Sequence, residues 1–570
     1  MLLLCVLLFS GAAQAADVYA DPSDYTQKLS GLTPGDTLHL EAGTYTDLLV
    51  IQGLNGEAGS WITITGPSTG DPAVFVADPG PCCNTVEIQD SSYVAITNLT
   101  IDGNHVDGAF GLSAKGGASN RVHNIRVEGC TFINHDTSQG NVAISTKTPT
   151  WDWEIRGNRI LGAGTGLYLG NSPGTEPFVR GLIEYNLISD TMGYNMQIKW
   201  QSSRPDVEGM PQGPSRTIIR HNVFIKTDRA SPSGDRPNLL VGGFPESGAG
   251  SQDLYEIYGN FFFHNPRESL FQGSGRISIH DNVFADVAGT AIALQNHDLP
   301  LRLAHVYNNT VYAAGTGISV SGDMDQGVWV VGNLLFADTG VGGTPTEQED
   351  NLVDSVENAD LYVANPTLVL GDMDLYPLPS QCQGTALDLS PFSTDTDYDR
   401  DFNGDSKGSF LFRGAYAGDG VNPGWTLEEA IKPGLTDAGV PHHDAVPLCD
   451  VLYGGDLYLN PYHDASAARD ASASSDGGSS GGGSDGGCSC RQAPATATTT
   501  ATSSPHRRPF LLVLLGLFAV VALATLKRRR HPLHLRRGWR RRGRRPLSRN
   551  GPYFMEWSDE KGKIEESAES

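Results

Sequence analysis

Nine segments of the chain align on one pattern: AITNLTI, RVEGCTF, EIRGNRI, LIEYNLI, IIRHNVF, EIYGNFF, SIHDNVF, HVYNNTV and WVVGNLL, beginning at residues 95, 126, 154, 182, 218, 256, 278, 305 and 329. Seven of them place an asparagine in register, at Asn158, Asn186, Asn222, Asn260, Asn282, Asn309 and Asn333, where the first two carry Leu99 and Cys130. Three residues before that position stands an isoleucine or valine in every segment, and two residues after it another apolar side chain. The spacing varies from 22 to 38 residues. A repeat constant in pattern and variable in length fits coils that bury aliphatics from short strands on both sides of a turn, with loops leaving freely elsewhere. The turn asparagine tolerates left-handed backbone, and its amide would bond its equivalents in adjacent coils. Nine coils at ~4.8 Å each stack to a rod of roughly 40 Å. A propeller would need evenly sized blades and a leucine-rich repeat its leucine signature, and neither is present.

The pattern resembles the right-handed parallel β-helix of the pectate-lyase-like superfamily. Two further stretches carry the likeness. LTPGDTLHLEAGTYTDLLVI, residues 32–51, is similar to the opening coils of many β-helix proteins, polysaccharide lyases among them. DYDRDFNGDSKGSFLFRGAY resembles their closing segment, so the resemblance spans roughly residues 17–420. SDYTQKLSGL, just before the opening coils, is expected to form a short capping helix over the open end of the core. The expected fold is therefore all-β, a right-handed solenoid over 16–343, with terminal coils and a C-terminal cap over 344–464.

The flanks set the compartment. MLLLCVLLFSGAAQAADV reads as a signal peptide ending at residue 15, and 465–508 is a Ser/Gly/Asp- then Ala/Thr-rich linker that cannot bury a core. Residues 509–526 form an apolar run long enough to cross a thin bilayer, and 527–570 is a basic tail that the positive-inside rule places in the cytoplasm. The expected product is secreted and anchored at the cell surface. Within the linker, GGCSCR followed by an apolar span and arginines resembles the myxobacterial C-terminal sorting signal, which implies a sorting protease as partner and Cys488 or Cys490 as the processed residue. The expected secretion permits disulfides. Cys382 with Cys449 is one plausible pair, and Cys82, Cys83 and Cys130 would supply another.

Charge narrows the partners. The chain carries −25 overall, but residues before 527 hold 26 basic and 59 acidic side chains, about −33. A domain so negative repels nucleic acid and other polyanions except through a local basic patch or a bound cation. Residues 199–236 are that patch, with seven basic and four acidic side chains. They also contain the longest coil spacings, 36 and 38 residues, and long loops beside one sheet build the walls of a groove.

In NMQIK, Met196 and Ile198 are expected to point inward, leaving Asn195, Gln197 and Lys199 outside. Lys199, Arg204 and Arg236 are the candidates for catalysis, with Arg229 as a further groove residue. A lysine base and a cationic partner would suit β-elimination of a uronate, the electrophile being arginine or calcium (Ca2+). Tyr168, Gln197, Trp200, Gln295 and His297 are the candidates for contact with sugar. Asp399, Asp401 and Asn403 match the first half of a calcium loop, although Phe410 stands where its glutamate belongs. An outward row, Glu128, Arg156, Glu184, Arg220, Tyr258, His280 and Tyr307, reads as an exposed ladder of complementary neighbours that fixes coil register. The sequence thus supports a surface protein that binds extracellular polysaccharide, with a polysaccharide lyase as the alternative and a purely structural rod as a third reading.

Overall fold

The computed structural model describes residues 15–78, 84–117 and 120–434. The signal peptide up to residue 14, residues 435–464, the linker with Cys488 and Cys490, the apolar run and the basic tail lie outside the described residues. Among those described, no helix is long and apolar enough to cross a membrane.

Each coil contributes one short strand to each of three parallel sheets, in constant chain order. In the coil of residues 122–146 these are Val122–Glu128, Thr131–Ile133 and Val142–Thr146, in the first, second and third sheet. The strands then pair with those of the coils before and after, as in the register Glu128↔Arg156, Phe132↔Ile160 and Ile144↔Leu167. This is a parallel β-helix, consistent with the right-handed sense expected for crossovers between parallel strands. All eighteen apolar positions of the repeat are buried in one continuous core. Phe224, Phe262 and Phe284 occupy the same place in successive coils and stack at 4.9 and 4.6 Å. The expected helix forms at Tyr25–Leu29 and closes the first coils, with Tyr25 meeting Tyr45 and Phe75 edge-on.

The asparagine ladder runs through the corner between the first and second sheets. Asn222 Nδ2 donates to Asn260 Oδ1 at 3.0 Å and to the Ile183 carbonyl at 2.9 Å, while its Oδ1 accepts from the Asn186 backbone N–H and side-chain amide. The same bonds recur from Asn158 to Asn333 and extend to Asn351. At the other end the Cys130 amide donates to Asn158 Oδ1 at 2.9 Å, and the Cys130 thiol lies buried and free. One expectation is corrected here. The left-handed backbone belongs to the residue before the register position (Asn98, Gly129, Gly157, Tyr185, His221, Gly259, Asp281, Asn308 and Gly332), not to the ladder asparagine. The asparagine is selected for its amide, the corner residue for its φ.

The outward row of the first sheet is not exposed. Arg156, Glu184, Arg220, Tyr258, His280 and Tyr307 are all buried, and the chain end covers the later coils of the row. Residues 384–434 run back along the solenoid, holding it through Lys407 to Asp281 (2.7 Å), Asp395 to Ser278 (2.6 Å), and Asp397 to Tyr258 (3.0 Å). Lys432 continues the line further back, donating to the Gly259 carbonyl at 2.9 Å. Cys382 is a buried free thiol, and Cys449, Cys82 and Cys83 lie outside the described residues.

Candidate functional site

The third sheet's strands alternate strictly. Leu167, Leu169, Met196, Ile198, Leu239 and Val241 point into the core, so the residues between them form columns on the outer face. The central column reads Glu87, Ser113, Ser145, Tyr168, Gln197, Leu240 and Gln272 in register. Two residues on, at the strand ends, a second column reads Lys115, Lys147, Gly170, Lys199, Gly242, Ser274 and Gln295. The backbone N–H of each of its lysines bonds a carbonyl at the end of the strand of the coil before: Ile88, Ala114 and Leu169 for Lys115, Lys147 and Lys199. Three lysines thus share one edge of the face. Lys115 is paired with Glu87.

Lys147 is the residue that sequence reasoning missed. Its ammonium sits 4.7 Å from the Phe110 ring centre and 5.6 Å from that of Tyr168, and among the described residues no carboxylate lies within ion-pair distance. Burial lowers its pKa, opposed by the charge of Glu176 nearby. Glu176 is itself pushed up by burial, and the loop carrying it is closed by Asn171, which accepts from the Glu176 N–H at 3.0 Å. The Tyr168 hydroxyl meets Ser172 Oγ at 2.9 Å in the same loop. Gly170, at φ +88°, keeps the place between Lys147 and Lys199 free of a side chain. The signal that could have found Lys147 is the strand-end register, in which Lys115, Lys147 and Lys199 align three-dimensionally across unequal coil lengths.

Lys199, His297 and Arg236 share one electrostatic neighbourhood. Burial holds His297 below the usual imidazole range, Asp298 opposes this, and the positive charges of Lys199 and Arg236 add to it. Arg236 stands at the opposite end of the strands, 5.7 Å over the Tyr194 ring, on an insert that Arg229 fastens to Asp136 and Asp190. Gln295 follows its strand at the lysine edge, and Trp200 packs on Gly174. Tyr168 and Gln197 are in the expected column but only 6% and 3% exposed, so the face is a narrow seam between loops rather than an open strip.

Other expectations change. Asn195 is wholly buried, its amide donating to the Ile225 carbonyl at 3.0 Å, because the strand begins one residue later at Met196. Arg204 is buried against Asp253 and the Gly213 carbonyl, where it closes the insert after Lys199 and is turned away from groove chemistry. Trp151 stacks on His123 at 4.4 Å and Trp153 donates to the Val122 carbonyl, so both are packing residues.

The expected calcium loop lies in the returning chain end. Asp401 spends both carboxylate oxygens on the backbone N–H groups of Asn403, Asp405 and Ala417, Asn403 bonds Asn422, and Asp399 faces Arg400. Among the described residues, no three histidine, cysteine or acidic side chains converge to hold a metal.

No family model and no curated protein matches the chain. Among solved structures it is similar to an alginate lyase from Paenibacillus sp. strain FPU-7, at 15% identity over 59% of this chain and 95% of that one, with a TM-score of 0.32. It is also similar to a PL6 family polysaccharide lyase from Pseudopedobacter saltans, at 13% identity over 60% and 93%, TM-score 0.37. A third is the A-module of the mannuronan C-5 epimerase of Azotobacter vinelandii, at 16% identity over 59% and 89%, TM-score 0.39. At these values the likeness adds nothing to the fold read from the sheets, and no residue role is carried across.

Proposed function

We propose that the seam on the third sheet binds a carboxylated extracellular polysaccharide, and that the chain presents it from a cell-surface anchor. The observation that carries this reading is the Lys147 ammonium between Phe110 and Tyr168, which has no ion-pair partner among the described residues. A half-buried cation without a counter-ion is costly, and this domain has carboxylates to spare, so a site that keeps one unpaired is suited to an incoming anion. Lys199 and Arg236 extend the positive field, and the Tyr168 and Phe110 rings offer faces for sugar C–H groups. The membrane would be engaged through 509–526, and a sorting protease would act at Cys488 or Cys490.

A second reading, β-elimination of a uronate, is favoured by one specific observation: burial lowers the pKa of Lys147, as a general base requires. Lys147 would then take the C5 proton beside the carboxylate, with Lys199 stabilising the developing enolate, and the C4=C5 double bond would form as the C4–O glycosidic bond breaks and the departing oxygen takes a proton from water. One experiment separates the readings. The full-length protein is incubated with pectate, alginate and glycosaminoglycans, with and without calcium, while binding and ultraviolet absorbance of unsaturated uronate are followed. Binding without absorbance supports recognition alone. Absorbance that disappears in Lys147→Ala supports elimination, and neither signal on any substrate would sink both.

A further inference from the structure

A second concavity, of about 320 Å³, lies far from the lysine seam, where the returning chain end crosses the corner between the first and second sheets. Its walls include Tyr185, His221 and Asp281 from the corner column and Asp401, Asn403 and Lys432 from the chain end. The volume falls at the lower end of the ~300–1,000 Å³ typical of small-molecule sites. Gly259 makes the space: it stands between His221 and Asp281 in the column, and a Cβ there would lie 2.5 Å from His221 Nδ1.

We propose that this cavity is a binding site for a neutral sugar ring, distinct from the carboxylate-binding seam. Three features assign the ligand class. First, one carboxylate oxygen of Asp281 accepts from Lys407 and faces His280, but the other, in a side chain only 2% exposed that lines the cavity, has no partner among the described residues and so lacks a donor such as a hydroxyl. Second, Tyr185 and His221 stack at 4.9 Å and give one wall an aromatic character that suits sugar C–H faces. Third, the buried charges of the walls are committed and the lining as a whole is net negative. Lys432 donates to the Gly259 and Phe402 carbonyls and to His221, Asp397 bonds Tyr258, and Asp401 is held by three backbone N–H groups. Arg400 also lines the cavity, 3.9 Å from Asp399, but the lining carboxylates of Asp281, Asp397, Asp401 and Asp405 outnumber the cations Arg400 and Lys432, which disfavours a uronate here, and among the described residues no three metal-ligating side chains converge to hold a cation.

The test uses the full-length protein and saturation-transfer NMR with glucose, galactose, mannose, N-acetylglucosamine and, as the charged comparison, glucuronate. At least one neutral ring should bind. Asp405→Trp would fill the cavity from a residue whose side chain is exposed, and should weaken that binding at least tenfold while leaving carboxylated-glycan binding at the seam unchanged. Asp281→Asn should weaken it as well, and thermal melting shows whether each variant is folded. Binding by none of the neutral sugars, binding that survives folded Asp405→Trp, or a preference for glucuronate would each overturn the assignment.

Discussion

Lys147 and Lys432 show how position decides what a lysine does. Both are pushed down by burial, Lys432 to about 7, but Lys432 is saturated by fixed acceptors while Lys147 faces only rings and a distant carboxylate. Because the lowered pKa of Lys147 lets its charge go at lower pH than an ordinary lysine, affinity for a carboxylated glycan should fall as pH rises through that value. Lys147→Arg stays charged and should flatten the profile over the same range, which titration calorimetry at several pH values would read. Asp401 gives a stability counterpart. Burial raises it to about 6 from the ordinary 3.8, so the native state holds a proton that the unfolded chain has released between those values. Its contribution is present below pH ~4 and is lost as pH rises to about 6. Chemical denaturation across that window should show the decline, and Asp401→Asn should remove its share of the slope. At this scale the sequence was only partly legible. Lys199 and Arg236 stood out because loop length and local charge flag them, and His297 because its strand is equivalent to that of Lys199, but Lys147 lies in an ordinary strand end whose neighbours, Tyr168 and Phe110, come from other coils.

Among the elements, the corner ladder was the most legible feature, because every coil restates it within seven residues of sequence. What the sequence did not separate was the division of labour inside the corner, where the asparagine supplies hydrogen bonds and its predecessor the left-handed turn. Asn222 is bonded on both sides by buried partners, so Asn222→Ala should leave several amide and carbonyl groups unpaired and cost about 3 kcal/mol or more in urea unfolding. Asn351 ends the ladder and is only partly buried, and Asn351→Ala should cost about 1 kcal/mol. Equal costs at the two positions would mean that the ladder is not cooperative along its length. The long inserts were legible as walls but not in their wiring. Arg204 reads as a free cation until Asp253, in the next insert, is seen to be its partner.

For the whole molecule, the main disparity between expectation and fold concerns the outward row of the first sheet. Read alone it is an exposed charge ladder; in the fold the returning chain end makes it an interior. No local pattern announces this, since Lys407 and Asp281 are 126 residues apart. Lys407→Ala should loosen the return: hydrogen exchange should rise in 384–434 and in the corner around 258–309, while coils before residue 180 keep their protection. Uniformly raised exchange would mean that the chain end holds the entire solenoid rather than its later coils.

The central claim is that the third-sheet seam recognises carboxylated polysaccharide through Lys147, and it is tested most directly by calorimetric titration of uronate oligosaccharides into the wild type and a folded Lys147→Ala. Wild-type binding that drops about tenfold or more in the variant, as loss of a charge-assisted contact of ~1.5 kcal/mol or more implies, is the predicted result. Equal affinity in both proteins, or binding by neither, would contradict it.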